Sequence, residues 1–347
     1  MEGGDDRISR RKIEHLRVFE DDPGVERRRT GFDQIHLTHR ALPEISFDKV
    51  NPSTVFLGKP LSFPLIISSM TGGDGDEVCQ INQRLAEAAE ATGVAMAVGS
   101  QRVMLKSSSA RKSFELRPTA PNVPLIGNIG AVQLNEGVTA RDCQSAVDVL
   151  QADGLYLHLN PLQEAVQPEG DRNFEGLGEA IANVVQELSA PVLLKEVGAG
   201  LSAADVALGL SAGIRHFDVA GRGGTSWSRV EYHRRTEEND DIGLVFQDWG
   251  LTTVECLKDV VPVLKTSPDP VILIASGGIR NGIDMAKAMI LGADMCGMAA
   301  PFLEAAKVST KTVIQKIERT QREFKTAMFL LGCSNCSDLK ENQTLLR

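Results

Sequence analysis

The stretch VILIASGGIRNGIDMAKAMILGADMCGMAAP, residues 271–301, decides the fold. It opens with an apolar run that breaks at Gly277-Gly278, passes through Ile279 and Arg280, and starts a helical pattern at Asn281. A second apolar run, MCGM, ends at Ala299-Ala300, and Pro301 follows as a favoured first helical residue. Strand, glycine turn, helix and strand in this order form the repeating unit of a parallel α/β fold. Glycine-rich exits feeding helix N-termini after two successive strands also make a phosphate cradle, because orphan backbone N–H groups converge there.

Working outward, the same unit recurs upstream. Apolar runs end near Met70 (LSFPLIISSM), at Gly99 (VAMAVG) and at Gly130 (PLIGNIG, 124–130). Others span 154–160 (GLYLHLN), 191–198 (PVLLKEVG), 216–221 (HFDVAG), 271–278 and 295–300. Near-continuous apolar runs are how strands read when buried on both faces. Between them, residues 76–92 place Val78, Ile81, Leu85 and Ala88 on one helical face, and residues 313–331 do the same with Val313, Ile317, Phe324, Met328 and Leu331. Eight strands alternating with helices predict an α/β fold closed as a (β/α)8 TIM barrel; an open doubly wound sheet is the competitor. The expected organisation is one domain over 1–347. It has a polar, arginine-rich, irregular N-terminal extension over 1–60 and a barrel core over 61–331. The charged segment from about Gly221 to Asp248 reads as a long loop, either a lid or a solvated insertion.

Composition narrows the function classes. The chain has 347 residues, 42% hydrophobic and 24% charged, enough for a sizeable core. Its formal charge of −9 argues against a nucleic-acid partner, which a basic protein would suit better. The start, MEGGDDRISRRKIEHL, lacks the apolar core of a secretory signal, and no apolar run approaches membrane-spanning length, so no membrane association is expected. Six cysteines are too sparse for a disulfide scaffold and fit a reducing cytoplasm. Cys333 and Cys336 form a lone CxxC that cannot complete a four-ligand zinc site and reads as structural.

In a barrel the chemistry sits at the C-terminal ends of the strands. The first strand exits through Ser69, Met70, Thr71 and Gly72, where small residues allow close backbone approach to a planar ligand. The second exits through Ser100, Gln101 and Arg102, whose guanidinium suits a phosphate. Asn128 on the third strand needs partners, either backbone or the amide edge of a heterocycle. The fourth exit is the most unusual: His158 and Asn160 fall on one face, followed by Gln163, which orients or relays but does not titrate, and Glu164, a hard oxygen ligand for Mg²⁺. Lys195, inside the fifth run, is a cation that calls for a partner such as an anionic cofactor or a carboxylate. The sixth exit carries Ala220 and Thr225 in a glycine-rich turn; Gly278, Ile279, Arg280, Ala299 and Ala300 complete the phosphate cradle. Near the start, Arg11 and Lys12 lie in a basic cluster that suits a diphosphate.

Together, RRKIEH, FDQIHLTHRALPE, FLGKPL, SMTGG, SQR, HLNPLQE, LLKEVG, GGTSW and SGGIR, in this order from about residue 10 to about 331, resemble the type 2 isopentenyl-diphosphate Δ-isomerases. HLNPLQE with GGTSW separates that group from other FMN barrels such as the α-hydroxy-acid oxidases, the alternative reading. The resemblance implies interconversion of isopentenyl and dimethylallyl diphosphate by a 1,3-proton shift on reduced FMN, with NADPH as reductant and Mg²⁺. It also implies a cytosolic homotetramer or octamer. It implies substrate contacts from Arg11, Lys12, Ser100, Gln101, Arg102 and Gln163, and a metal contact from Glu164. FMN contacts fall to Met70, Thr71, Gly72, Ser100, Asn128, Lys195 and Thr225, with the phosphate held by Gly278 to Arg280 and Ala299-Ala300. Ser69 and Ala220 stand beside the flavin, Ala220 where several relatives carry serine. Gln163, Lys195, His158 and Asn160 are the expected catalytic group.

Overall fold

The computed structural model describes residues 14, 17–18, 21–27, 29–70, 75–107, 109–235 and 240–347. Eight parallel strands close a barrel: β1 (Leu65–Ile67), β2 (Ala95–Ala97), β3 (Leu125–Gly130), β4 (Gly154–Leu159), β5 (Val192–Glu196), β6 (His216–Asp218), β7 (Ile272–Ala275) and β8 (Met295–Met298). They pair in sequence order, and β8 closes onto β1 through Cys296↔Leu65 and Met298↔Ile67. The closed TIM barrel expected from the alternation is present. Most of its strands are shorter than the apolar runs, whose last residues turn out of the ladder into the exit loops.

The helices follow from spacing and caps. Helix α1 (Asp76–Thr92) buries Val78, Ile81, Leu85, Ala88 and Ala89 and stops at Gly93 in the left-handed conformation (φ 67°). Helices α2 (Ala140–Leu150), α3 (Leu177–Glu187), α4 (Ala203–Ser211), α5 (Trp227–Tyr232) and α6 (Thr253–Leu264) cover successive strands. Thr139, Ser202 and Thr252 form capping boxes at the starts of α2, α4 and α6. After β7 comes α7 (Gly282–Ile290), capped by Asn281 on the N–H groups of Ile283 and Asp284. Helices α8 (Ala300–Val308) and α9 (Thr310–Leu331) follow β8.

The barrel interior is packed by Ile66, Ala95, Ala97, Ile126, Tyr156, Leu193, Ile274 and Met295. Its N-terminal mouth is plugged by Phe56 and Leu61 from an antiparallel ribbon, Thr54–Phe56 with Lys59–Leu61. Each such burial is worth about 1.5–3 kcal/mol. Stopping one mouth with apolar side chains leaves the other for chemistry. The extension is otherwise irregular, with single turns at Phe32–Gln34 and Phe47–Lys49. It also returns to the opposite mouth, where Glu26 bridges Thr225 in antiparallel register and Ser226 N–H donates to the Val25 carbonyl. The long segment after β6 is not wholly irregular: it carries α5 and the turn Ile242–Val245. Cys333 is buried and the Cys336 thiol donates to the Pro52 carbonyl, a packing role for that pair.

Candidate active site

At the C-terminal mouth lies an open cavity of two lobes sharing Ser69, Met70, Lys195, Val197 and Trp227.

The first lobe is built by the glycine turns. Gly277 and Gly278 have φ of 96° and 78°. A Cβ on Gly277 would sit 1.9 Å from the Gly221 carbonyl oxygen, and one on Gly278 2.3 Å from that of Gly223. Only glycine lets the exits of β6 and β7 interlock this closely. Around them stand Thr225, Arg280, Ala299 and Ala300, with Ser276 and Ala220 deeper. Burial pushes the Arg280 guanidinium down, partly countered by Asp284. The carboxylate of Glu26 also enters the lobe, accepting from Thr225 Oγ1 at 2.6 Å and pairing with Arg280.

The second lobe is lined by Ser100, Arg102, Asn128, His158, Asn160, Gln163 and Glu164. Asn128 donates through Nδ2 to the Val98 carbonyl, while its Oδ1 lies 2.7 Å from His158 Nδ1. Of the two alternatives for this asparagine, the backbone partner is present, and the residue also lines the second lobe. Asn160 caps the short helix Pro161–Val166, so Gln163 and Glu164 occupy its first turn within reach of the Asn160 amide. Asn160 Nδ2 donates to Gln163 Oε1 at 3.2 Å and to Glu164 Oε1 at 2.8 Å. Glu164 is buried and also accepts from the Asp171 N–H at 2.7 Å. Arg102 pairs with Asp171 at 2.6 Å.

Lys195 stands where the lobes meet. It is buried, donates to the Glu196 carbonyl at 2.6 Å and lies 5.7 Å from the centre of the Tyr156 ring. Burial lowers its pKa, an effect opposed by Asp218 and then Glu196.

Not every expected residue reaches the cavity. Gln101 is a correction to the substrate group: its side chain is wholly buried, donating to the Ala146 carbonyl at 2.9 Å and accepting from Asn128 N–H at 3.0 Å. Ser100 and Arg102 face the cavity, and the residue between them turns away. Ile279 is fully buried in the core, so its contribution to the cradle is its backbone and packing. Arg11, Lys12, Thr71 and Gly72 lie outside the described residues. Of the histidines bearing on an oxidase reading, His233 bonds Asp22 through Nε2 at 2.7 Å, and His216 begins β6; neither lines the cavity.

The structure adds Glu26, Ser68, Val197 and Trp227 to the walls, and Glu231 behind them. Glu231 is fully buried, accepts from Gln163 Nε2 at 2.8 Å and pairs with Arg234. Nothing in its local sequence, SRVEYHRRTEENDD, distinguishes it from a solvated glutamate.

Four buried polar atoms at the cavity, Ser68 Oγ, Ser69 Oγ, Gln133 Oε1 and Asn160 Oδ1, have no hydrogen-bond partner among the described residues. Buried polar atoms are rarely left so, which is the signature of a ligand surface. The cradle of glycines, a hydroxyl and a guanidinium beside a buried ammonium fits a flat, phosphorylated, anionic cofactor such as FMN. A metal is less fully provided for. Among the described residues no group of three or more His, Cys, Asp or Glu is placed to hold one.

Comparison with known proteins agrees. Residues 157–346 match the family described as FMN-dependent dehydrogenase. The isopentenyl-diphosphate delta-isomerase of Paracoccus zeaxanthinifaciens is 62% identical over 343 residues, covering 99% of this chain and 98% of that protein. That of Hydrogenovibrio crunogenus is 54% identical, covering 99% of each. Among solved structures, a flavocytochrome b2 variant with sulfite bound superposes with a TM-score of 0.68 at 20% identity, covering 93% of this chain and 78% of that one. A mandelate oxidase with (S)-2-phenylpropionate gives 0.63 at 18% identity, covering 91% and 88%. At such identities these last two speak for the barrel alone. End-to-end likeness at 62% and 54% identity settles the kinship: this chain belongs to the isopentenyl-diphosphate delta-isomerase family.

Proposed function

We propose that the chain is an isomerase that interconverts isopentenyl and dimethylallyl diphosphate by a 1,3-proton shift, using FMN held at the C-terminal mouth of the barrel. The observation that carries this is the position of Lys195. A buried ammonium joins a phosphate cradle to a second lobe of neutral and acidic hydrogen-bonding groups.

The difficulty of the reaction is protonating an unactivated alkene, which builds tertiary carbocation character. Bound in its reduced form, FMN would supply an electron-rich face and exchangeable protons for that chemistry. The chain's own residues do the rest. Gly278, Arg280, Thr225 and the start of α8 hold phosphate. Lys195 offers positive charge to an anionic cofactor in a dry site, where such charge acts strongly. Ser69 and Ser100 present hydroxyls to the cavity, and His158 is fixed in orientation by Asn128. Gln163 is held at both ends, by Asn160 on its oxygen and Glu231 on its nitrogen, which sets its amide for orienting substrate or passing a proton.

Mg²⁺ fits as an ion shared between Glu164 and the diphosphate, since Mg²⁺ is commonly bound by one or two carboxylates plus substrate phosphates. Arg11, Lys12 and Arg102 are assigned to the same diphosphate, and NADPH is assigned as the reductant that primes the flavin. Residues 1–347 are read as one domain acting in the cytoplasm as a homotetramer or octamer. An outward-facing apolar groove along α9, with Leu37, Ile283 and Leu330, supports self-association. No helix among the described residues is long and apolar enough to cross a membrane.

The test is anaerobic incubation of the purified chain with FMN, Mg²⁺, NADPH and isopentenyl diphosphate in D₂O. Dimethylallyl diphosphate carrying deuterium, with NADPH used only in catalytic amount, is the expected result. NADPH loss matching turnover would instead make the chain an oxidoreductase.

A further inference from the structure

Beneath the cavity floor lies a polar cluster that the reaction as described does not use. Asp218 ends β6 and is 1% exposed. It is the register partner of Lys195 on β5. Its Oδ1 accepts from Ser276 Oγ at 2.5 Å and from Ala220 N–H at 3.2 Å; its Oδ2 accepts from Tyr156 Oη at 3.2 Å. Burial pushes the Asp218 pKa up, and Lys195 together with the three donors converging on the carboxylate opposes that rise by favouring the ionised form. Tyr156 itself is held protonated, because burial and the neighbouring carboxylate both oppose its ionisation.

The other groups facing Lys195 are differently engaged. Glu196 turns its Oε2 onto the N–H groups of Val197, Gly198, Ala199 and Gly200, so its charge organises the following loop. His158, the register partner on β4, is committed to Asn128. Asp218 exceeds Glu196 in supporting the charge on Lys195. It also acts on the site by a second route. The bond from the Ala220 N–H accompanies a left-handed backbone at that residue (φ 39°), an uncommon conformation for a non-glycine residue, and Ala220 lines the cradle lobe.

We propose that Asp218 is a positioning residue for the flavin: its carboxylate keeps Lys195 an ammonium at the junction of the lobes, and so sets how much more tightly the chain binds reduced than oxidised FMN. The physical reason is symmetry of cost. An ammonium buried without a counter-charge gives up its proton, and a neutral amine offers nothing to the negative charge that reduction adds. The inference rests on FMN being the cofactor, and goes beyond it by assigning the redox preference to a residue lying under the site.

The experiment measures FMN affinity and midpoint potential on the full chain, stripped of flavin and reconstituted, for wild type, Asp218→Asn, Lys195→Met and the double variant. Asp218→Asn is expected to bind oxidised FMN nearly as wild type does, yet lose about tenfold or more of its preference for reduced FMN, a fall of about 30 mV for a two-electron couple. The absorption spectrum of its reduced flavin at neutral pH should move toward the uncharged form. In the Lys195→Met background the same change should add nothing, since no ammonium remains to support. Ser276→Ala, which takes one donor from the carboxylate, should move the preference the same way by less, and it serves if Asp218→Asn does not fold. A residue that merely ties strand ends together would change thermal stability and leave the potential alone. An unchanged potential in Asp218→Asn and Ser276→Ala, with Lys195→Met shifted, overturns the inference. Wild-type chain that binds no FMN overturns instead the reading it rests on.

Discussion

Gln163 and Glu231 are joined by a 2.8 Å hydrogen bond from an amide nitrogen to a fully buried carboxylate. The pair joins the exit of β4 to the segment after β6, sixty-eight residues later. Glu231 is also held by Arg234, which reaches Glu169 as well, so the carboxylate is anchored from the side away from Gln163. Glu231→Gln should preserve shape while loosening this grip. A misplaced Gln163 is expected to cost about 100-fold in kcat, the order seen for small displacements of positioned groups. Steady-state kinetics checks this, with far-UV circular dichroism to show that the fold survives. Unchanged kcat would mean that Gln163 needs no support from behind.

Lys195→Ala removes the ammonium at the junction of the lobes. Loss of one preorganised charge or donor in such a site costs about 10²–10³ in rate. The loss should appear in kcat more than in the affinity for oxidised FMN, because the charge matters when the cofactor carries extra electrons. Near wild-type turnover would remove Lys195 from the mechanism.

Glu164 is already bonded by Asn160 and the Asp171 N–H, and no cluster of three His, Cys, Asp or Glu stands ready for a metal among the described residues. Mg²⁺ should therefore bind weakly to the chain alone and much more tightly with diphosphate present. Calorimetry with and without a non-reacting diphosphate tests this. Glu164→Gln should raise the Mg²⁺ concentration needed for half-maximal activity by about tenfold or more, as one carboxylate ligand is lost. An unchanged Mg²⁺ titration would move the ligand elsewhere.

How much of this was legible beforehand follows from chain distance. Helix α1 was readable because Val78, Ile81, Leu85 and Ala88 repeat at helical spacing within one local stretch. His158, Asn160, Gln163 and Glu164 were readable as a group because one strand exit and one helical turn bring them together. Gln101 was misplaced because its neighbours share its polarity, and polarity does not show which of three consecutive side chains turns inward. Glu26 and Glu231 were invisible for the opposite reason. Each sits in a charged stretch that reads as solvated, and only the return of the extension and of α5 across the mouth leaves Glu26 half-buried and Glu231 fully buried. The register of a closed barrel is a long-range property, so the pairing of Asp218 with Lys195 could not be read from either neighbourhood.

Asp153 carries an acid-side stability signal. Burial raises its pKa, but Lys59, the Leu125 N–H and Arg117 outweigh that and hold it below the usual carboxylate value. A carboxylate depressed in the folded state stabilises above its unfolded pKa, and that contribution disappears as pH falls through the folded value. Asp153→Asn should lower stability by about 1–3 kcal/mol at neutral pH, by leaving two cations and an N–H underserved. The gap in Tm between variant and wild type should hold from neutral pH down to about 4 and narrow below it. A gap that widens on acidification would reverse the assigned sign.

Glu26 places a carboxylate inside a cradle otherwise made for phosphate. It accepts from Thr225 and pairs with Arg280, the two side-chain donors that a flavin phosphate would use, while its backbone is tied to the same loop by the bridge to Thr225. Carboxylate and phosphate thus compete for donors, and their like charges repel at short range. Glu26→Gln keeps the size and one acceptor while removing the charge. At an interaction of roughly 1–2 kcal/mol for partly screened charges, it should tighten FMN binding about tenfold. The gain should shrink as salt is added, because the repulsion is screened while the hydrogen bonds are not. Fluorescence titration of flavin-free protein with FMN at low and high ionic strength reads both effects. Weaker binding in Glu26→Gln would show the reverse relation, in which the carboxylate earns its place by aiming Arg280 and the Thr225 hydroxyl at the phosphate.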